Sequence, residues 1–155
     1  MKQLLEALTE KNITLAAAES CTGGMVCETV TSLPGASAVF LGGVVSYANE
    51  VKINVLGVSS ESLERYGAVS EDVAARMAEG VRRITGADIG ISTTGIAGPG
   101  GGTAEKPVGT VCFGVSSVNG TKSCTRHFGS DKERDEIRRM ATEFALSLAL
   151  KEVNL

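Results

Sequence analysis

Apolar residues at helical spacing open the chain: Leu4, Leu5 and Leu8 predict a helix over residues 2–11. The next apolar run, "ITLAAAES", is short and continuous, as in a buried strand. "GGMVCETVTSL" predicts a helix that starts at the glycine pair and stops before Pro34-Gly35. "ASAVFLGGVVSYA" is β-branched and aromatic, a strand broken or bulged at Gly42-Gly43. A helical turn or two is expected over 49–56, followed by a short serine-capped helix in "SSESLERYG". In "SEDVAARMAEGVRRIT" Ser70 is the natural cap, Glu71 and Asp72 face the positive end of the helix dipole, and Val73, Met77 and Val81 form a core stripe. "ADIGISTTG" predicts another buried strand. "KPVGTVCFGVSS" and "TKSCTRHFG" predict a hairpin turning at Asn119-Gly120, where both central residues tolerate positive φ. A long helix from Ser130 closes the chain, with Ile137, Met140, Phe144 and Leu148 on one side. Helices alternating with strands imply an α/β sandwich with a mixed sheet, and one domain over 1–155.

Composition narrows the function. The 155 residues fit a single core, and 15 Lys+Arg against 18 Asp+Glu leave a formal charge of −3 with no basic block. No nucleic-acid footprint is therefore expected. No apolar run reaches membrane-spanning length, and the N-terminus reads as a helix and not a signal peptide, so no membrane partner and a cytoplasmic location are expected. The four cysteines form no CxxC pair and His127 is the only histidine, which leaves no metal site to expect.

Chemistry concentrates where predicted strands end, at Glu19–Gly24, Ser46–Lys52 and Thr93–Thr103. In "AESCTGG", Ser20 sits between a strand end and a helix N-terminus, with the amides of Thr22, Gly23 and Gly24 placed to hold a phosphate or an oxyanion. A serine or threonine there also serves as a plain helix cap, which an isolated Ser-x-x-Gly favours. His127 lies in the hairpin, away from all three loops, so a serine there needs a lysine as its base. "SYANEVK" supplies Lys52 and Tyr47. Sequence spacing alone does not separate that role from a core-edge tyrosine beside a solvent-facing lysine. The loop "TTGIAGPGGGTAEKPVG" fits neither a Walker A nor a GxGxxG pattern; Thr94, Gly95, Gly98, Gly100 and Lys106 are its candidate ligand contacts, with a flexible surface loop the equal alternative.

Five blocks in order, "AESCTGG", "GGVVSYANEVKINVLGV", "GAVSEDVA..MAEGV", "TTGIAGPGGGT..KPVGTV" and "RDEIRRMA", run over nearly the whole chain. Together they resemble the CinA C-terminal domain family, in its stand-alone nicotinamide mononucleotide (NMN) deamidase form. The resemblance implies a three-layer α/β/α fold with a mixed, mostly parallel sheet, and a homodimer. It implies hydrolysis of the NMN carboxamide to nicotinic acid mononucleotide and ammonia, in NAD salvage, with no cofactor or metal. Residue by residue, Ser20 would be the nucleophile, Lys52 its base and Tyr47 a hydroxyl assisting proton transfer. Arg134, four residues before Arg138 in the stretched segment "GSDKERDEIR", would be the site arginine. Glu19, beside Ser20, is a candidate substrate contact, or else a local hydrogen-bond partner or a charge orienting Lys52. The alternative is a binding module that holds a pyridine nucleotide without turning it over.

Overall fold

The computed structural model describes residues 1–155. Helix α1 (Lys2–Lys11) leads into β1 (Leu15–Glu19), followed by α2 (Met25–Thr31), β2 (Phe40–Val45) and the helices α3 (Asn49–Asn54), α4 (Ser60–Tyr66) and α5 (Glu71–Thr85). Strands β3 (Ile89–Gly95), β4 (Thr110–Ser117) and β5 (Gly120–His127) precede the closing helix α6 (Arg134–Val153). The five strands form one sheet in the order β2-β1-β3-β4-β5. β1 is parallel to both β2 and β3, whereas β4 is antiparallel to both β3 and β5, so only β4 runs against the rest.

The two-residue period of β1 explains the three layers. Leu15 and Ala17 face one way, into a core shared with Leu4, Leu8, Val26 and Ile137. Ala16 and Ala18 face the other, against Leu56, Val73, Met77 and Val81. The predicted stripe of α5 is therefore the inner face of one layer, and Ser70 caps that helix by accepting from the Val73 amide. Small residues let the layers approach closely. A side chain at Gly90 would meet the Ala78 carbonyl at 2.3 Å, and one at Gly114 would meet that of Ala74 at 2.3 Å. β4, covered on both faces, is buried along its whole length.

Four local expectations are corrected. The strand expected from Ala36 begins at Phe40, because Ala36–Ala38 makes a 3-10 turn after left-handed Gly35. The bulge falls at Leu41: Leu15 pairs with Phe40 and the next residue, Ala16, with Gly42. The hairpin forms, but its turn residues are Val118-Asn119, and the positive φ belongs to Gly120 alone, at 103°. Finally, α6 starts at Arg134, and the face it lays on the sheet is Ile137, Ala141, Ala145 and Ala149. Phe144 flanks that face and packs edge-on against buried Phe113, ring centroids 4.7 Å apart. No helix is long and apolar enough to cross a membrane.

Candidate active site

Ser20 follows the last residue of β1, at the carboxyl ends of three parallel strands, where open α/β sheets collect ligands. Gly23 and Gly24 turn the chain from strand to helix with φ of 58° and 104°, a conformation that penalises any side chain. Glu19 fixes this turn from below. It is fully buried, and Oε2 accepts from the Thr22 hydroxyl and the amides of Gly24 and Val26 while Oε1 accepts from the Cys27 amide. A carboxylate thus satisfies the orphan donors at the N-terminus of α2. Thr22 spends its only proton on Glu19, so Thr93 is the donor in the 2.7 Å contact between their hydroxyls.

Of the roles expected for Glu19, the local hydrogen-bond partner is the one found; the substrate contact and the charge orienting Lys52 are corrected, since both oxygens are committed to the turn. Glu19→Gln puts an amide donor against at least one of these donors and is expected to cost about 2–3 kcal/mol of stability. A lower urea midpoint at unchanged m-value would measure it.

Lys52 comes from α3 and is completely buried. Its Nζ donates to the Ser46 carbonyl at 2.7 Å and stands 3.1 Å from Ser20 Oγ. Ser46, itself fully buried, is pinned by its amide, which donates to the Glu19 carbonyl at 2.7 Å. No carboxylate pairs with Lys52. Burial pushes its ammonium below the ordinary lysine value, because an unpaired charge inside a protein is costly. A neutral amine has a lone pair for the Ser20 proton. Cys21, by contrast, is buried, and burial first of all pushes its thiol up to about 12. It stays protonated and poorly nucleophilic.

Of the expected oxyanion donors, two are already used. The Gly23 amide donates to the Ser20 carbonyl at 3.1 Å and the Gly24 amide to Glu19. The Thr22 amide has no partner within the chain, nor does that of Cys21. Of the expected set only Thr22 is left, and Cys21, from outside that set, joins it.

A second group spans the rim. Tyr47, 62% exposed, accepts at its hydroxyl from Arg134 Nη2 at 3.0 Å, and Arg134 Nη1 donates to the Gly98 carbonyl at 2.7 Å. This bridge joins the loop after β2, the glycine-rich loop and the first turn of α6. Four other expected contacts fall elsewhere. Buried Thr94 turns its hydroxyl to the Ala68 carbonyl, and Lys106 Nζ donates to the Tyr66 carbonyl, so both serve the α4–α5 connection. Gly95 packs backbone to backbone against Thr110, and exposed Gly100 has nothing around it. Sequence reading missed Ser46 and Thr93. Both stand in the hydroxyl-rich loops, and what they contribute is a backbone carbonyl and a buried hydroxyl, which residue type alone does not announce.

Fold and site together define a small α/β domain with a half-buried serine beside a buried lysine at the carboxyl edge of its sheet. The comparisons narrow the class. The chain belongs to the CinA C-terminal domain family, whose model it matches over residues 1–153. It is 50% identical over 145 residues to a CinA-like protein of Synechococcus sp. (strain RCC307), covering 94% of this chain and 35% of that protein. It is 47% identical over 146 residues to a putative competence-damage inducible protein of Clostridium acetobutylicum, covering 94% and 35%. The chain thus spans about a third of the length of the curated relatives it matches. The crystal structure of the competence/damage inducible protein CihA from Agrobacterium tumefaciens superposes with a TM-score of 0.94 at 38% identity, covering 99% of this chain and 93% of that one.

Proposed function

We propose that the domain is an amidohydrolase that converts NMN to nicotinic acid mononucleotide and ammonia. The observation that carries this reading is a buried lysine without a counter-ion, 3.1 Å from the hydroxyl of a serine at a strand end. An amide is a poor electrophile with a poor leaving group. It needs an activated nucleophile, charge stabilisation on oxygen and a proton for the departing nitrogen. Ser20 Oγ attacks the carboxamide carbon as its proton passes to neutral Lys52. The negative charge that develops on oxygen is met by the Thr22 amide. The Lys52 ammonium then protonates the amide nitrogen, the C–N bond breaks and ammonia leaves. Water hydrolyses the resulting ester, with Lys52 again the base, and Ser20 is regenerated.

The cationic pyridinium of NMN already withdraws electrons from the carboxamide, which makes its carbon a better electrophile for Ser20. Tyr47 and Arg134 sit at the mouth. Arg134 there holds a carbonyl and a hydroxyl and pairs with no carboxylate, which leaves its positive charge available to a phosphate.

The test is incubation of the purified chain with NMN, measuring ammonia and nicotinic acid mononucleotide in parallel. Equal amounts of the two are expected. Tight NMN binding with no ammonia would replace the reading with that of a nucleotide-binding module.

A further inference from the structure

Arg138 stands one helical turn beyond Arg134 and reaches the nucleophile turn itself. Its Nε donates to the Cys21 carbonyl at 3.2 Å and its Nη2 to the Thr22 carbonyl at 2.9 Å. Its Nη1 meets Asp135 at 3.1 Å, so all three guanidinium nitrogens are engaged. The turn is packed directly beneath it, since a side chain at Gly23 would come within 3.4 Å of Nη2.

Peptide planarity gives these contacts a consequence. In a trans peptide the C=O and N–H point in opposite directions, so gripping the carbonyl of residue 21 fixes where the amide of residue 22 points. That amide is one of the two unpartnered donors beside Ser20. The same peptide is polarised by the cation on its oxygen, which makes its N–H the stronger donor. The second grip, on the Thr22 carbonyl, orients the Gly23 amide, which closes the turn onto the Ser20 carbonyl.

We infer that Arg138 is a positioning residue that aims and polarises the Thr22 amide as an oxyanion donor. The inference rests on the serine–lysine reading above but not on the identity of the substrate. With its nitrogens committed to two carbonyls and Asp135, Arg138 acts on the turn and not on a substrate phosphate.

The experiment therefore uses two substrates on the full chain, wild type, Arg138→Met and Arg138→Lys. One is NMN. The other is 4-nitrophenyl acetate, from which Ser20 Oγ bonds to the acetyl carbon, its proton passes to Lys52, and 4-nitrophenolate leaves with the electron pair of the ester C–O bond. Ser20→Ala sets the background. For Arg138→Met, kcat for ammonia release is expected to fall about 10- to 100-fold with KM for NMN unchanged. The rate constant of the nitrophenolate burst should fall by the same factor. Arg138→Lys should recover part of the loss, because an ammonium reaches one carbonyl and not two. The pH midpoint set by Lys52 should not move.

A raised KM at constant kcat would make Arg138 a substrate-binding cation and overturn the inference. So would a loss confined to burst amplitude, which counts folded sites, or a wild type with no Ser20-dependent burst. A wild type that shows the burst but releases no ammonia from NMN retires the substrate assignment. In that case an Arg138-dependent burst rate still upholds the role of Arg138 and an independent one ends it.

Discussion

Ser20→Ala is expected to lower ammonia release from NMN by at least about ten-thousandfold while leaving NMN binding intact. Removing the nucleophile of a covalent mechanism eliminates the acylation step, and what survives is the rate that binding and the oxyanion donors give to water alone. The substitution removes one oxygen beside Lys52 and leaves the turn untouched, because the turn is held by Glu19 below and Arg138 above. Calorimetric titration with NMN should therefore give wild-type affinity. The decisive control is Cys21→Ala. Its thiol is buried and pushed up to about 12, so this variant should keep most of its turnover. Activity surviving in Ser20→Ala and lost in Cys21→Ala would transfer the nucleophile to the thiol.

The contrast between Ser20 and Cys21 also marks how far the sequence can be read. Hydroxyl, thiol, glycine pair and strand end are all visible in "AESCTGG". Equally visible are Ser70 as a cap and the Val73–Met77–Val81 stripe, because each depends on residues within a turn or two of one another. Bonds in which a distant side chain seeks a backbone group are not visible. Lys52 is held by the carbonyl of Ser46, Arg134 by that of Gly98, and Arg138 by those of Cys21 and Thr22. A carbonyl carries no residue signature, so nothing in the letters distinguishes Arg134 at the rim from Arg138 on the turn. The misplaced face of α6 has a similar origin. Periodicity weights the largest apolar side chains, Met140, Phe144 and Leu148. The sheet face under α6 is itself bulky, with Ile89, Ile91, Val111 and Phe113, and takes the small Ala141, Ala145 and Ala149 opposite it while Phe144 and Leu148 pack at the flank. Thr94 and Lys106 were read from their loop. Their partners, Ala68 and Tyr66, lie about 26 and 40 residues earlier along the chain, beyond any local pattern.

Lys52→Ala is expected to reduce kcat by about a hundredfold to ten-thousandfold, the span typical for loss of a general base. Lys52→Arg should not restore it, because guanidinium stays protonated at any working pH and has no lone pair to offer Ser20. The pH profile supplies a sharper test. Burial lowers the Lys52 pKa from its ordinary value of 10.5, so the neutral base becomes available as pH rises through that depressed value. Wild-type kcat/KM should climb along this limb and level off before pH 10.5, and Lys52→Ala should lose the limb along with the rate. Stability reports the same pKa independently of any substrate. Between the folded pKa and 10.5 the unfolded chain binds a proton at Lys52 that the folded chain does not, so unfolding free energy rises with pH across that window. Below the folded pKa both states are protonated and the contribution is lost. Lys52→Met has no such group, and the difference between wild type and this variant in urea unfolding should shift in favour of wild type as pH rises, then flatten above 10.5. A difference that stays constant with pH would mean that Lys52 titrates alike in both states. Its burial would then not prepare it as a base, and the proton acceptor for Ser20 would have to be sought elsewhere.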